Sequence, residues 1–181
     1  MVRRMKRSLF LSAGHSNADP GAVANGRKES EIAVEFRNMV SFYLSRAGVA
    51  HGLDGSGTIN MPLREAARQA KDYDIAVEFH CNAAASPSAT GVETLQGDKD
   101  FSLGQMICDA VSGALDILNR GAKPENAGQH NRLAFVQAGG IIVELLFITN
   151  INDLRAYDDR KWVAARNVAE VLQWATARGA A

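Results

Sequence analysis

Four residues carry reactive side chains in places where such side chains are unusual. His15 follows the strand-like run Leu9–Ala13, and Glu29 precedes a long amphipathic stretch. His80 ends an apolar run that begins at Ile75, and Glu144 interrupts Ile141-Ile142-Val143-Glu144-Leu145-Leu146-Phe147. An ionised carboxylate in such a run is costly unless it is paired, hydrogen-bonded or bound to a metal. Two imidazoles and one carboxylate leave the fourth position of a tetrahedral zinc ion open, which is the pattern of catalytic rather than structural sites. A cation there acidifies water and polarises a carbonyl. A second carboxylate outside the metal shell can then take the proton of the water and hand it to a leaving nitrogen, and Glu144 suits that role. Taken singly, each residue has an ordinary explanation. A histidine after a strand is commonly a surface or core residue, Glu29 would favour the positive end of a helix, and Glu144 could pair with a buried arginine. On composition alone, Glu31 competes with Glu29.

The elements that must position these residues alternate. Leu9–Ala13 reads as a strand, and Ile32, Phe36, Val40, Tyr43 and Ala47 mark one face of a helix that Gly48 stops. Val49–Leu53 is a short strand candidate, Leu63–Lys71 reads as helical, and Ile75–His80 and Gly91–Gln96 read as strands. Leu103, Ile107, Val111, Ala114 and Leu118 form the apolar face of a second long helix; Leu133–Gln137 and Ile141–Phe147 read as strands. The near-continuous apolarity of Ile141–Phe147 suits a strand covered on both faces. Ala164, Val168, Val171 and Ala175 close the chain on an amphipathic helix. This alternation predicts a single α/β domain over residues 1–181, with a mostly parallel central sheet and helices on both faces. In such sheets ligands lie at the carboxyl ends of strands, which is where His15 and His80 fall.

The totals exclude several classes. The chain has 181 residues, of which 46% are hydrophobic and 22% charged, an ordinary globular balance. Lys+Arg and Asp+Glu both number 20, so there is no basic excess of the kind nucleic-acid binding leaves. Arg3, Arg4, Lys6 and Arg7 form a local basic start, read as a solvated tail. The apolar run after it, Leu9 to Leu11, is too short for a secretion signal of roughly 7–15 apolar residues. No stretch approaches the ~18 apolar residues of a membrane span. Cys81 and Cys108 are expected to be free, buried thiols.

Several blocks together resemble the amidase 3 group of N-acetylmuramoyl-L-alanine amidases. Ala13-Gly14-His15, Asp19-Pro20-Gly21-Ala22, Asn25-Gly26 and Glu29 are similar to that family's first block. Asp74-Ile75-Ala76-Val77-Glu78-Phe79-His80-Cys81-Asn82-Ala83, followed by Gly91-Val92-Glu93-Thr94, is similar to its second, and Val143 to Asn150 to its third. Arg64 falls where the family carries an arginine upstream of the second histidine. The resemblance implies one zinc ion bound by His15, Glu29 and His80, with Glu144 as catalytic acid/base. The implied substrate is the amide between the lactyl group of N-acetylmuramic acid and L-alanine in peptidoglycan. It favours Glu29 over Glu31 as the carboxylate ligand. There are departures: Ser16 replaces a common glycine, Glu78 stands where serine is usual, and Cys81 where a small residue is usual. Strand alternation sends Glu78 to the face of His80, either to orient that imidazole or to meet solvent, and sends Cys81 to the opposite face. The match is weak over Arg120–Ala138, where His130 belongs to a surface loop or to the substrate cleft. A monomeric, single catalytic domain without a wall-binding module or signal suggests a phage endolysin, made in the cytoplasm and released to the wall. Another zinc amide hydrolase, such as an exopeptidase or deacetylase, and a non-catalytic wall-binding module are the rival readings.

Overall fold

The apolar run Leu9–Ala13 forms the first strand, β1, and all five residues are buried. The computed structural model describes residues 7–16, 18–127 and 132–178. His130 and the basic residues Arg3, Arg4 and Lys6 lie outside them. A two-stranded hairpin, β2 (Val23–Ala24) and β3 (Arg27–Lys28), turns through Asn25 and Gly26. Both turn residues have positive φ, 50° and 73°, as a tight two-residue hairpin demands. The chain then enters α1 (Glu29–Arg46), and the short strand β4 (Gly52–Leu53) and helix α2 (Leu63–Ala70) follow. β5 (Ile75–Asn82), β6 (Val92–Gln96), α3 (Phe101–Leu115) and β7 (Asn119–Pro124) come next. α4 (Ala134–Gln137), β8 (Ile141–Phe147) and α5 (Ile151–Ala177) complete the fold. The Asn150 side chain caps α5 by accepting the backbone N–H groups of Asn152 and Asp153.

Six strands form one sheet in the order β4-β1-β5-β8-β6-β7. Every neighbouring pair is parallel except β6 and β8. The expected single α/β domain with a mostly parallel sheet and helices on both faces is therefore present. α1, α3 and α5 cover one face over a large apolar core that includes Leu11, Phe79, Val143, Phe36, Ile107 and Val168. α2 and α4 cover part of the other face over a smaller cluster of Phe10, Ala76, Leu95, Ile142, Ala66 and Phe135. Alternation along the strands places Ser12, Glu78, His80 and Glu144 on this second face, beyond the end of the smaller cluster. The sheet is thus dry on one side and changes from apolar to polar along the other.

Two sequence expectations are corrected. Leu133–Gln137 is not a strand: Ala134–Gln137 form the short helix α4. Phe135 and Val136 are adjacent and both buried, and a short apolar run of this kind cannot decide between strand and helix by periodicity. The weakly matching stretch Arg120–Ala138, expected as a surface loop or part of the substrate cleft, begins within the edge strand β7, Asn119–Pro124. Its polar composition and terminal proline suit a strand paired on one side only. Cys81 and Cys108 are free and buried, as expected, and burial pushes the Cys108 thiol up to about 11.

Beside the site lies a buried ion pair. Arg37 on α1 and Asp54 just after β4 both have fully inaccessible side chains, with Nη1 to Oδ1 at 2.6 Å. Asp54 also accepts the Ala13 N–H at 3.1 Å, and Arg37 Nη2 reaches the Ile59 carbonyl at 3.2 Å. Removing one member of such a pair strands the other charge in a low-dielectric interior. Asp54→Asn is therefore expected to destabilise the fold by about 3–5 kcal/mol. The denaturant midpoint should fall at unchanged slope; a shift within about 0.5 kcal/mol, the usual range for an indifferent surface change, would refute it.

Candidate metal centre and active site

The loop after β1 brings His15 to the carboxyl edge of the sheet in an unusual backbone state, with φ at 64°. A non-glycine residue rarely adopts the left-handed region, and such strain persists only where the surroundings enforce it. Here Asn60 Nδ2 donates to the carbonyls of Ala13 and His15, at 2.9 and 2.8 Å. Gly14 is required at its position because a Cβ there would fall on the His80 ring. Gly21 has φ at 65°, and a Cβ there would crowd Glu29 and His15.

Glu29 enters from the β2–β3 hairpin as the first residue of α1. Its Oε2 accepts the Ala22 N–H at 2.9 Å and its Oε1 the Cys81 N–H at 3.1 Å. The same Oε1 lies 3.0 Å from His15 Nε2 and 2.9 Å from His80 Nδ1. One ligand atom from each of His15, Glu29 and His80 thus gathers within 4.8 Å of the others. Each imidazole also offers its other nitrogen to a carboxylate: His15 Nδ1 to Asp19 at 3.0 Å and His80 Nε2 to Glu78 at 3.0 Å. That pattern of ligand nitrogen inward and carboxylate behind is how metal-binding histidines are held. Burial opposes the charge on Glu29, but hydrogen bonds from His15 and His80 hold its carboxyl well below the ordinary range. The Glu29 hydrogen bond raises His15 above its usual value. Burial works against a charged His80, yet Glu29 and Glu78 together raise it well above normal. Two imidazole nitrogens and a carboxylate oxygen, gathered in this way, are a donor set whose chemistry fits zinc.

Glu144 sits opposite His80 in the β5–β8 register. Its Oε2 is buried with no hydrogen-bond partner among the described residues, and burial raises its carboxyl to about 7. Such an orphaned atom calls for a functional explanation. Because β6 runs against β8, the beginning of β6 lies beside the end of β8, and Glu93 pairs with Glu144. Glu93 is buried and is neutralised by Arg120 and Lys123, the latter at 2.7 Å, while Asn82 donates to its other oxygen at 3.0 Å. The groups share a cleft of about 670 Å³, whose lining also includes Leu63, Leu95, Phe135, Arg120 and Phe147.

All four residues singled out from the sequence therefore meet in one cleft. Glu31 does not join them: it is exposed and paired with Lys28 at 3.0 Å. Arg64 is exposed near the start of α2. Glu78, left between two orientations by the sequence, is buried and faces His80, whereas the Cys81 side chain packs into the larger core. Sequence reasoning gave no role to Asp19, Asn60, Asp54 or Glu93. Only the four-residue spacing of His15 and Asp19 was a local signal; the others act across the sheet.

Known proteins resemble this chain along most of its length. The profile of the amidase 3 family, described as N-acetylmuramoyl-L-alanine amidase, matches residues 9–173. The chain is 27% identical over 153 residues to N-acetylmuramoyl-L-alanine amidase LytC of Bacillus subtilis, covering 81% of this chain and 30% of LytC. It is 30% identical over 155 residues to the endolysin of Bacillus phage SPP1, covering 81% of this chain and 56% of that protein. The match thus spans about a third of the length of LytC and just over half of that of the endolysin. Among solved structures, a Neisseria meningitidis protein described as an N-acetylmuramoyl-L-alanine amidase superposes with a TM-score of 0.85 at 42% identity. That match covers 93% of this chain and 94% of the other. With a family profile running nearly end to end and this likeness in structure, the chain belongs to the amidase 3 family of N-acetylmuramoyl-L-alanine amidases.

Proposed function

We propose that this protein hydrolyses the amide joining the lactyl group of N-acetylmuramic acid to L-alanine in peptidoglycan, with His15, Glu29 and His80 holding one zinc ion. The observation that carries the reading is the convergence of two imidazoles and a carboxylate beside a buried, unpartnered Glu144 oxygen in an open cleft. Bound there, zinc supplies a positive charge that acidifies water and polarises the substrate carbonyl. Glu144 takes the proton of the attacking water and delivers it to the leaving nitrogen, so the C–N bond breaks to give a lactyl carboxylic acid and a free amine. Asp19 and Glu78 hold the two imidazoles in orientation, and Leu63, Leu95 and Phe135 add apolar lining to the cleft.

We read the chain as a monomeric catalytic domain acting on the wall. Among the described residues no helix is long and apolar enough to cross a membrane. A lytic role in a phage is supported by the likeness to the SPP1 endolysin. Digestion of purified peptidoglycan tests the activity: new ends identified by mass should be N-terminal L-alanine peptides and intact muramic acid. Release of terminal amino acids or of acetate would replace the reading with a peptidase or a deacetylase. Binding without release would make the protein a wall-binding module.

A further inference from the structure

Glu78 is the least expected residue of the site, an acid on a sheet face where serine is usual in the resembling family. It is 1% exposed. Its Oε1 lies 3.0 Å from His80 Nε2, and its Oε2 accepts the Ser12 hydroxyl at 2.8 Å. Ser12 is itself fully buried and lies 3.2 Å from Asp54 Oδ2, and Asp54 is clamped by Arg37. The side chains Arg37, Asp54, Ser12, Glu78 and His80 therefore form one continuous polar line, running from a buried ion pair to an imidazole of the cation site.

We propose that Glu78 is a positioning residue of the metal site: by accepting the Nε2–H of His80 it fixes Nδ1 as the nitrogen offered to the cation, and its buried charge strengthens metal binding. The inference rests on the reading that His15, Glu29 and His80 hold a cation. The reasoning is geometric. An imidazole whose Nε2 carries the proton presents its lone pair at Nδ1, and Nδ1 is the atom that faces Glu29. Glu78 is held in place at both ends, since its far oxygen accepts the hydroxyl of the buried Ser12 at 2.8 Å. Asp19 stands behind His15 in the same way, but its side chain is 64% exposed, so water screens it. The two carboxylates thus differ in burial while sharing a role, which makes Asp19 an internal comparison.

The test is the zinc dissociation constant of the full chain, measured by competition with a chromophoric chelator, together with the melting temperature of the metal-free protein. Glu78→Ser should weaken zinc binding by about 10–100-fold, the usual worth of a carboxylate behind a metal-binding histidine. Glu78→Gln keeps the shape and an acceptor oxygen but not the charge. It should weaken zinc less than Glu78→Ser and more than Asp19→Asn, with the metal-free melting temperature unchanged or raised. Zinc affinity within about threefold of wild type in both Glu78 variants, far short of the effect of losing such a partner, would show Glu78 to be only a satisfied buried acid. Wild-type protein that takes up no zinc would instead remove the metal reading itself, an outcome visible before any variant is compared.

Discussion

Glu144→Gln is expected to lower turnover by about 10²–10⁴-fold, the usual worth of a positioned acid/base, while leaving zinc content at one per chain. The amide keeps the shape of the side chain but cannot accept a proton from water. The ligand set is untouched, and exchanging a buried carboxyl with no partner for its Oε2 for a neutral group does not burden the fold. Wall binding should therefore persist. The pH profile gives a second reading of the same group. Burial lifts the Glu144 carboxyl from 4.5 to about 7, and a nearby cation draws it back down. The base form is the deprotonated one, so activity should be full at high pH and fall as pH drops through this window, between 4.5 and 7. The residual activity of Glu144→Gln should lack that acidic limb. Loss of zinc in the variant would make Glu144 a ligand. Near-normal activity would pass the proton to another group, of which Glu93 is the nearest in register.

His80→Ala should remove both metal and lysis. Three protein ligands are the minimum for a catalytic zinc site, and two would remain. Zinc should fall from one per chain to a trace on dialysis, and wall lysis should vanish with it. Chelation of the wild-type protein should abolish lysis in the same way, and returning zinc should restore it; the variant should not recover at the same zinc concentration. The choice of carboxylate can be checked alongside. Glu29 is buried and meets both imidazoles through one oxygen, whereas the Glu31 side chain is 61% exposed and bonded to Lys28. Glu29→Ala should therefore weaken zinc far more than Glu31→Ala. Full lysis by rigorously metal-free protein would overturn the zinc mechanism, and the reverse order of the two glutamates would overturn the ligand set.

Much of this molecule is written locally in its sequence. The runs Leu9–Ala13, Ile75–His80 and Ile141–Phe147 announce strands because apolar, β-branched and aromatic residues recur in short bounded segments. Ile32, Phe36 and Val40 announce a helix because they repeat on its period. His15, Glu29, His80 and Glu144 stand out because each breaks such a pattern, and Asn25-Gly26 marks the hairpin that delivers Glu29. What the sequence could not decide were relations between segments distant along the chain. Periodicity says which face a residue occupies but not which strand lies next to it. That β6 runs against β8, placing Glu93 beside Glu144, follows from long-range pairing. β7 was illegible because an edge strand needs only backbone partners on one side, and α4 was misread because four residues carry too little period. Glu78 was undecided for the same reason: whether an acid at the sheet rim meets water or an imidazole depends on Ser12 and Asp54, which lie 66 and 24 residues earlier in the chain. Local hydrogen-bond periods shape each element, but only the packed sheet determines which polar groups are left without water and must find one another.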